Sequence, residues 1–163
     1  MTFYFCTNYI RRTDRTFDQM VQAARSGKQN IVEGCAASST SSKSEIRLIN
    51  VAKASLMELL EDYKDYLRVN GHRQWEMDSV EMSAMRELGK THNDSEFFMN
   101  LARTRPPQTI ANMVIVLIMQ TDYLLFKQLQ ALSEKFLEEG GFSERMARMR
   151  LQRRNLLDPK KRD

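Results

Sequence analysis

Residues 25–60 read RSGKQNIVEGCAASSTSSKSEIRLINVAKASLMELL, and this stretch decides the fold. It holds the end of one amphipathic helix, a loop of small polar residues and the start of a longer helix. Upstream, the apolar positions Phe17, Met20, Val21, Ala24, Ile31, Val32 and Cys35 recur at spacings of three and four, the signature of one helix face. Thr13 or Asp14 can cap the free N–H groups of that helix. Gly27 lies inside it and costs about 1 kcal/mol against Ala. A glycine tolerated there implies a close helix approach or, less simply, backbone contact with a ligand. Gly34 reads as the end of this helix.

The segment AASSTSSKS is too short to separate domains and reads as a helix–helix loop. Ser41 or Ser42 can cap the next helix, with Glu45 three residues after Ser42 as in a capping box. This second helix is expected over about residues 43–69. Its stripe is Ile46, Ile49, Ala52, Leu56, Leu59, Leu60, Tyr63 and Leu67, and Asn70-Gly71 closes it. At 1.5 Å per residue it is roughly 40 Å long, a length that favours near-antiparallel packing.

Working outward, residues 1–12 form an aromatic arm (Phe3, Tyr4, Phe5, Tyr9, Ile10) expected to pack on the body. A shorter third helix is expected over 73–88, carrying Trp75, Met82, Met85 and Leu88 and ended by Gly89. Residues 90–105 are ambiguous, with Phe97, Phe98, Met99 and Leu101 as core cover. Pro106-Pro107 opens a last long helix over 107–139, ended by Gly140-Gly141. In its first half the apolar residues run all the way round, which requires burial on more than one side. Self-association is the simplest source of the second burial, with Met113, Ile115, Val116 and Met119 as the expected oligomer interface. Residues 142–163 then form a short basic tail helix with Met146, Met149 and Leu156 on one face. The organisation expected is a helical domain, 1–141, and a basic tail, 142–163.

Composition agrees. The 163 residues suffice for one core, and only 3 Pro and 6 Gly leave long uninterrupted helices. The 11 Met suit helical packing or an adaptable interface. Two cysteines, Cys6 and Cys35, make no disulfide framework, and the polar, aromatic N-terminus lacks a secretory hydrophobic region. The expected location is cytoplasmic. The apolar run Met113–Met119 is far short of the ~20 residues of a membrane span. Net charge is +4, but the tail holds eight Lys or Arg against three acids. The body is therefore −1 and the tail +5, a distribution that suits a polyanion partner or a solvated end.

Chemistry-bearing patterns are missing. His72 and His92 have no ligand-spaced partners. There is no Gly-rich phosphate loop and no nucleophile elbow. Glu58, Glu61, Asp62 and Asp65, interleaved with Lys64 and Arg68, read as a charged helix face rather than catalytic carboxylates. No enzyme activity and no cofactor are expected.

The chain resembles the four-helix-bundle proteins encoded within intervening sequences of bacterial 23S ribosomal RNA genes. The matching residues are Asn30-Ile31-Val32-Glu33-Gly34, the Ser-rich loop, Lys43, Glu45, and Ala52-Lys53-Ala54-Ser55-Leu56-Met57-Glu58-Leu59. It is more closely similar to a subgroup carrying a four-helix-bundle suffix region. That pattern appears in Phe5-Cys6, in Asp18 through Ile31, in Ala111-Asn112 and in Phe136-Leu137 through Gly140-Gly141-Phe142. The resemblance implies an all-α fold, an antiparallel up-down four-helix bundle, often assembled as a ring-like homopentamer. A relative in fold is the accessory protein of diversity-generating retroelements, which implies nucleic acid, RNA or DNA, and a reverse transcriptase as partners.

Two functional expectations result. The first is a non-catalytic, oligomeric nucleic-acid-binding protein, RNA before DNA. Its candidate contacts are Arg25 and Lys28 on the first helix, Lys43, Arg47 and Lys53 on the second, and Arg148, Arg150, Arg153 and Arg154 in the tail. The second is a structural or adaptor homo-oligomer that recruits a protein partner.

Overall fold

A computed structural model of the chain describes residues 1–140 and 142–157. These form an all-helical structure: α1 (Thr2–Tyr9), α2 (Arg15–Ala37), α3 (Ser42–Val69), α4 (Val80–Thr91), α5 (Ser95–Arg103), α6 (Pro107–Glu139) and α7 (Phe142–Leu157). Gly141 and residues 158–163, with Lys160, Lys161 and Arg162, lie outside the described residues, as does the side chain of Leu156.

The caps explain where the long helices begin. Asp14 accepts a hydrogen bond from the Thr16 N–H at 2.9 Å and starts α2. Those bonds to Thr16 hold the Asp14 carboxyl below its ordinary pKa. Ser41 caps α3 by accepting from the Ser44 N–H at 3.2 Å. The cap therefore sits at Ser41, and Glu45 lies one position too far along for the expected box. At the far ends, Gly71 (φ +66) follows α3 and Gly140 (φ +75) ends α6, both in the left-handed region that favours glycine.

Gly27 and Gly34 set the α2–α3 contact. A Cβ on Gly27 would stand 3.0 Å from Leu56 Cδ2, and one on Gly34 would stand 3.0 Å from Ile49 Cδ1. Numbers rise on one helix as they fall on the other, so the pair is antiparallel. Gly34 is thus a packing position inside α2, not its end, and the helix continues to Ala37. The helix α6 flanks α3 and also runs antiparallel to it. Its Asp122 meets Lys53 in mid-α3, while Asn112 reaches Arg73 and Trp75 beyond the end of α3.

The aromatic arm is itself a helix. α1 packs against α2 and α6, and its fully buried Phe5 lies 5.0 Å from the Tyr63 ring and 4.8 Å from the Tyr66 ring. The third helix starts later than expected, at Val80, because residues 72–79 form a connection tied to α6 through Asn112. Gly89 lies within it rather than at its end. There a Cβ would meet the amide end of the Gln120 side chain of α6, which would have to turn aside. The ambiguous segment resolves into α5.

Two apolar clusters result. The main one joins α1, α2, α3 and α6. A second gathers Met82, Met85, Phe98, Met113 and Val116 where α4 and α5 cover the first half of α6. Packing within the chain, in these two clusters, takes up three of the four residues of the expected oligomer interface. Met113 (2% exposed), Ile115 (0%) and Val116 (1%) are enclosed by the chain's own helices, and Met119 packs against the main core. By length and composition α6 could cross a membrane, and half of that apolar window is buried inside the chain.

Candidate nucleic-acid interface

The helix register decides which basic residues share a surface. Lys53 and Asp122 face each other, with the Lys53 ammonium donating to both the carboxylate and, at 3.1 Å, the carbonyl of Asp122. Lys53 also lies 5.9 Å from the Phe126 ring centroid. It is only partly exposed and its charge is matched, so Lys53 is no longer a candidate contact.

From this pair the start of α3 lies eleven residues back and the end of α6 seventeen residues on. α6 therefore extends about 9 Å past the start of α3. Lys43 and Arg47, both exposed, stand at that same end, and α7 departs from it with Arg148, Arg150, Arg153 and Arg154 exposed. α7 thus begins at the end of the body that carries Lys43 and Arg47. α7 carries no extensive packing against another helix among the described residues.

Arg25 and Lys28 are exposed, but elsewhere. They line a shallow depression on the outer face of α2 with Gln22, Gln29, Asn30 and Glu33. The α2–α3 register places Lys28 about 12 Å along the axis from Arg47. They do not extend the Lys43 and Arg47 patch across the loop.

The opposite half of the α2–α3 surface carries a run of carboxylates. An open groove of about 1080 Å³ is lined by Asp18, Glu58, Glu61 and Asp62, with Ala23, Ala54, Ser55 and Met57 among its other walls. A Ser26–Ser55 hydroxyl hydrogen bond of 2.8 Å closes it at depth. Burial first, then the charges of Asp65 and Glu58, raise the Asp62 carboxyl above its ordinary pKa. The sequence shows these carboxylates as one helix face, but Asp18 joins them only through the fold. The carboxylates therefore gather along the groove, while exposed arginines also stand beyond it at Arg15, Arg68 and Arg73.

Past the end of α4, the second half of α6 exposes Tyr123 (59%), Leu124 (66%) and Phe126 (47%). These aromatic and aliphatic residues, missed as surface by sequence reasoning, lie one or two turns beyond the expected interface. Among the described residues, no group of three or more His, Cys, Asp and Glu could hold a metal ion. Neither cysteine is in a disulfide. No protein-family model, no curated protein and no solved structure matches the chain.

Proposed function

We propose that the chain is a non-catalytic, self-associating helical protein of the antiparallel four-helix-bundle kind that holds nucleic acid, RNA before DNA, at the end from which α7 departs. One observation carries this reading: the Lys53–Asp122 register brings Lys43 and Arg47 to the end from which the arginine-bearing α7 departs. The mechanism is phosphate neutralisation with release of counterions, which positions a polyanion without reading its bases. No aromatic residue interrupts the arginines of α7, so single-strand stacking has no platform there. The resemblance to intervening-sequence proteins supports the same reading and adds a homopentameric ring, its fold relative adds a reverse transcriptase as candidate partner, and the two unpaired cysteines fit a cytoplasmic location.

The test is a titration of labelled structured RNA with the full chain at several salt concentrations, beside a variant carrying Arg150→Glu, Arg153→Glu and Arg154→Glu. Binding that falls steeply with salt and is lost in the variant is the expected result. A well-folded chain with no binding at low salt overturns it.

The second reading is a structural or adaptor homo-oligomer. The exposed Tyr123, Leu124 and Phe126 favour it, because exposed aromatic and aliphatic side chains suit a subunit or partner contact. It predicts assembly without any affinity for RNA.

A further inference from the structure

We propose that the open groove between α2 and α3 receives the basic helix α7 of a second copy of the chain. The inference rests on the self-associating part of the reading above, and it assigns that association a site. The groove offers apolar surface at Ala54 and Met57, bordered by Asp18, Glu58, Glu61 and Asp62. Lys64 holds Glu61 at 2.7 Å, whereas Asp18, Glu58 and Asp62 enter no ion pair among the described residues. A ligand for this groove needs an apolar strip flanked by positive charge.

α7 has that pattern. Met146, Met149, Arg150 and Arg153 succeed one another at helical spacing i, i+3, i+4 and i+7, so they share a face. Met149, Arg150 and Arg153 are exposed, and Met146 is half-buried. Two methionines on the apolar surface put two guanidinium groups at the carboxylates, which Arg can engage in bidentate pairs. The groove spans Asp18 to Ser26 on α2, about 12 Å, room for the two turns that hold these four residues.

A helix from the same copy falls short. α6 ends about 9 Å beyond the start of α3, and a straight return along α3 would carry Arg153 only about 8 Å past that start. The near edge of the groove, at Ala54, lies about 18 Å along α3. A second copy has no such restriction. The same arginines then serve a polyanion or a neighbour's groove, one at a time.

The test uses a fluorescent peptide of residues 142–157. It is titrated into the full chain carrying Arg150→Glu, Arg153→Glu and Arg154→Glu, whose own tails cannot compete. Saturable, salt-sensitive binding is expected. Adding Asp18→Lys and Glu58→Lys should weaken it about tenfold or more, since each exchange replaces an attraction with a repulsion. Both residues are exposed, so the helical fold survives, as circular dichroism will show. A peptide with Glu at positions 150 and 153 should recover affinity for that lysine-bearing groove. No saturable binding, or equal binding to both grooves, overturns the proposal. RNA takes no part in this measurement, so its outcome is independent of the nucleic-acid reading.

Discussion

Asn112, only 2% exposed, accepts a hydrogen bond from the backbone N–H of Trp75 at 2.8 Å. Its amide nitrogen donates to the Arg73 carbonyl at 3.0 Å and to the Gln108 carbonyl at 2.9 Å. One buried amide on α6 thereby satisfies the backbone of the α3–α4 connection, which has no regular partner of its own. Asn112→Ala should cost about 1–2 kcal/mol, because part-buried backbone groups of the connection lose their partner. The readout is built in: Trp75 is the single tryptophan. Its fluorescence in a urea titration should report loosening of the connection in the variant before global unfolding. An unchanged midpoint and spectrum would mean that water replaces the amide without loss.

Gly34 should not tolerate a branched side chain. Its position lies against Ile49 Cδ1 and Leu48 Cβ, so Gly34→Val overpacks the α2–α3 contact. The expected cost is about 1–3 kcal/mol. Gly34→Ala gains helix propensity of about 1 kcal/mol, which offsets much of the smaller repacking. Thermal unfolding of the two variants should therefore separate them clearly. Equal stability would place the two helices farther apart than the structure has them.

Lys53 and Asp122 should matter to stability and not to RNA. A partly exposed pair of this kind is worth at most about 1 kcal/mol. In a double-mutant cycle, Lys53→Ala and Asp122→Ala should show coupling of that size. Lys53→Ala should leave RNA affinity within about twofold, while Arg47→Ala weakens it and lowers the salt slope by about one. Loss of RNA affinity on removing Lys53 would restore it to the contact surface.

The two cysteines should differ sharply toward alkylating agents. Cys6 is fully buried with its Sγ 3.8 Å from Met20 Sδ. Burial, then the charge of Asp62, pushes its thiol up to about 11. A rise of this size leaves about a hundredfold less thiolate at neutral pH. Cys35 is exposed. One thiol should label promptly in the native chain and the second only on unfolding, which peptide mapping will assign. Prompt labelling at Cys6 would mean that α1 detaches readily.

Asp62→Asn should be neutral or stabilising at pH 7. The native carboxyl titrates above its ordinary pKa, so the folded chain holds that proton more tightly than the unfolded chain. Stability from this group is gained as pH falls through the raised value and is absent above it. The variant should match or slightly exceed the native chain near neutrality, and any gap should close in acid. Urea unfolding at the two pH values checks the sign. A less stable variant at pH 7 would reveal a favourable partner for the carboxylate.

The long helices were legible because their signals are local. The Asp14 cap, the three-four stripe of α3 and Pro107 with Gly140 bracket α2, α3 and α6 from sequence neighbours alone. Glycine misled at Gly34 and Gly89, where the missing side chain serves packing against Ile49 and Gln120 and not a helix stop. The all-round apolar start of α6 reads as doubly buried, and within the chain α4 and α5 supply its second cover. Lys53 looked like any exposed lysine, since its partner lies 69 residues away. Asp18 likewise joins Glu58 and Glu61 only once α2 lies along α3.

The order of the helices bears on how the chain is made. α2 and α3 are neighbours in sequence and account for the most extensive helix pairing, so their hairpin can close while later residues are still on the ribosome. The most apolar segment, the first half of α6, emerges only after α3, α4 and α5, the surfaces that will cover it. Vectorial synthesis thus shortens the interval in which a sticky segment is without cover, and a circular permutant beginning at Pro107 would forfeit that protection and should aggregate more readily during expression.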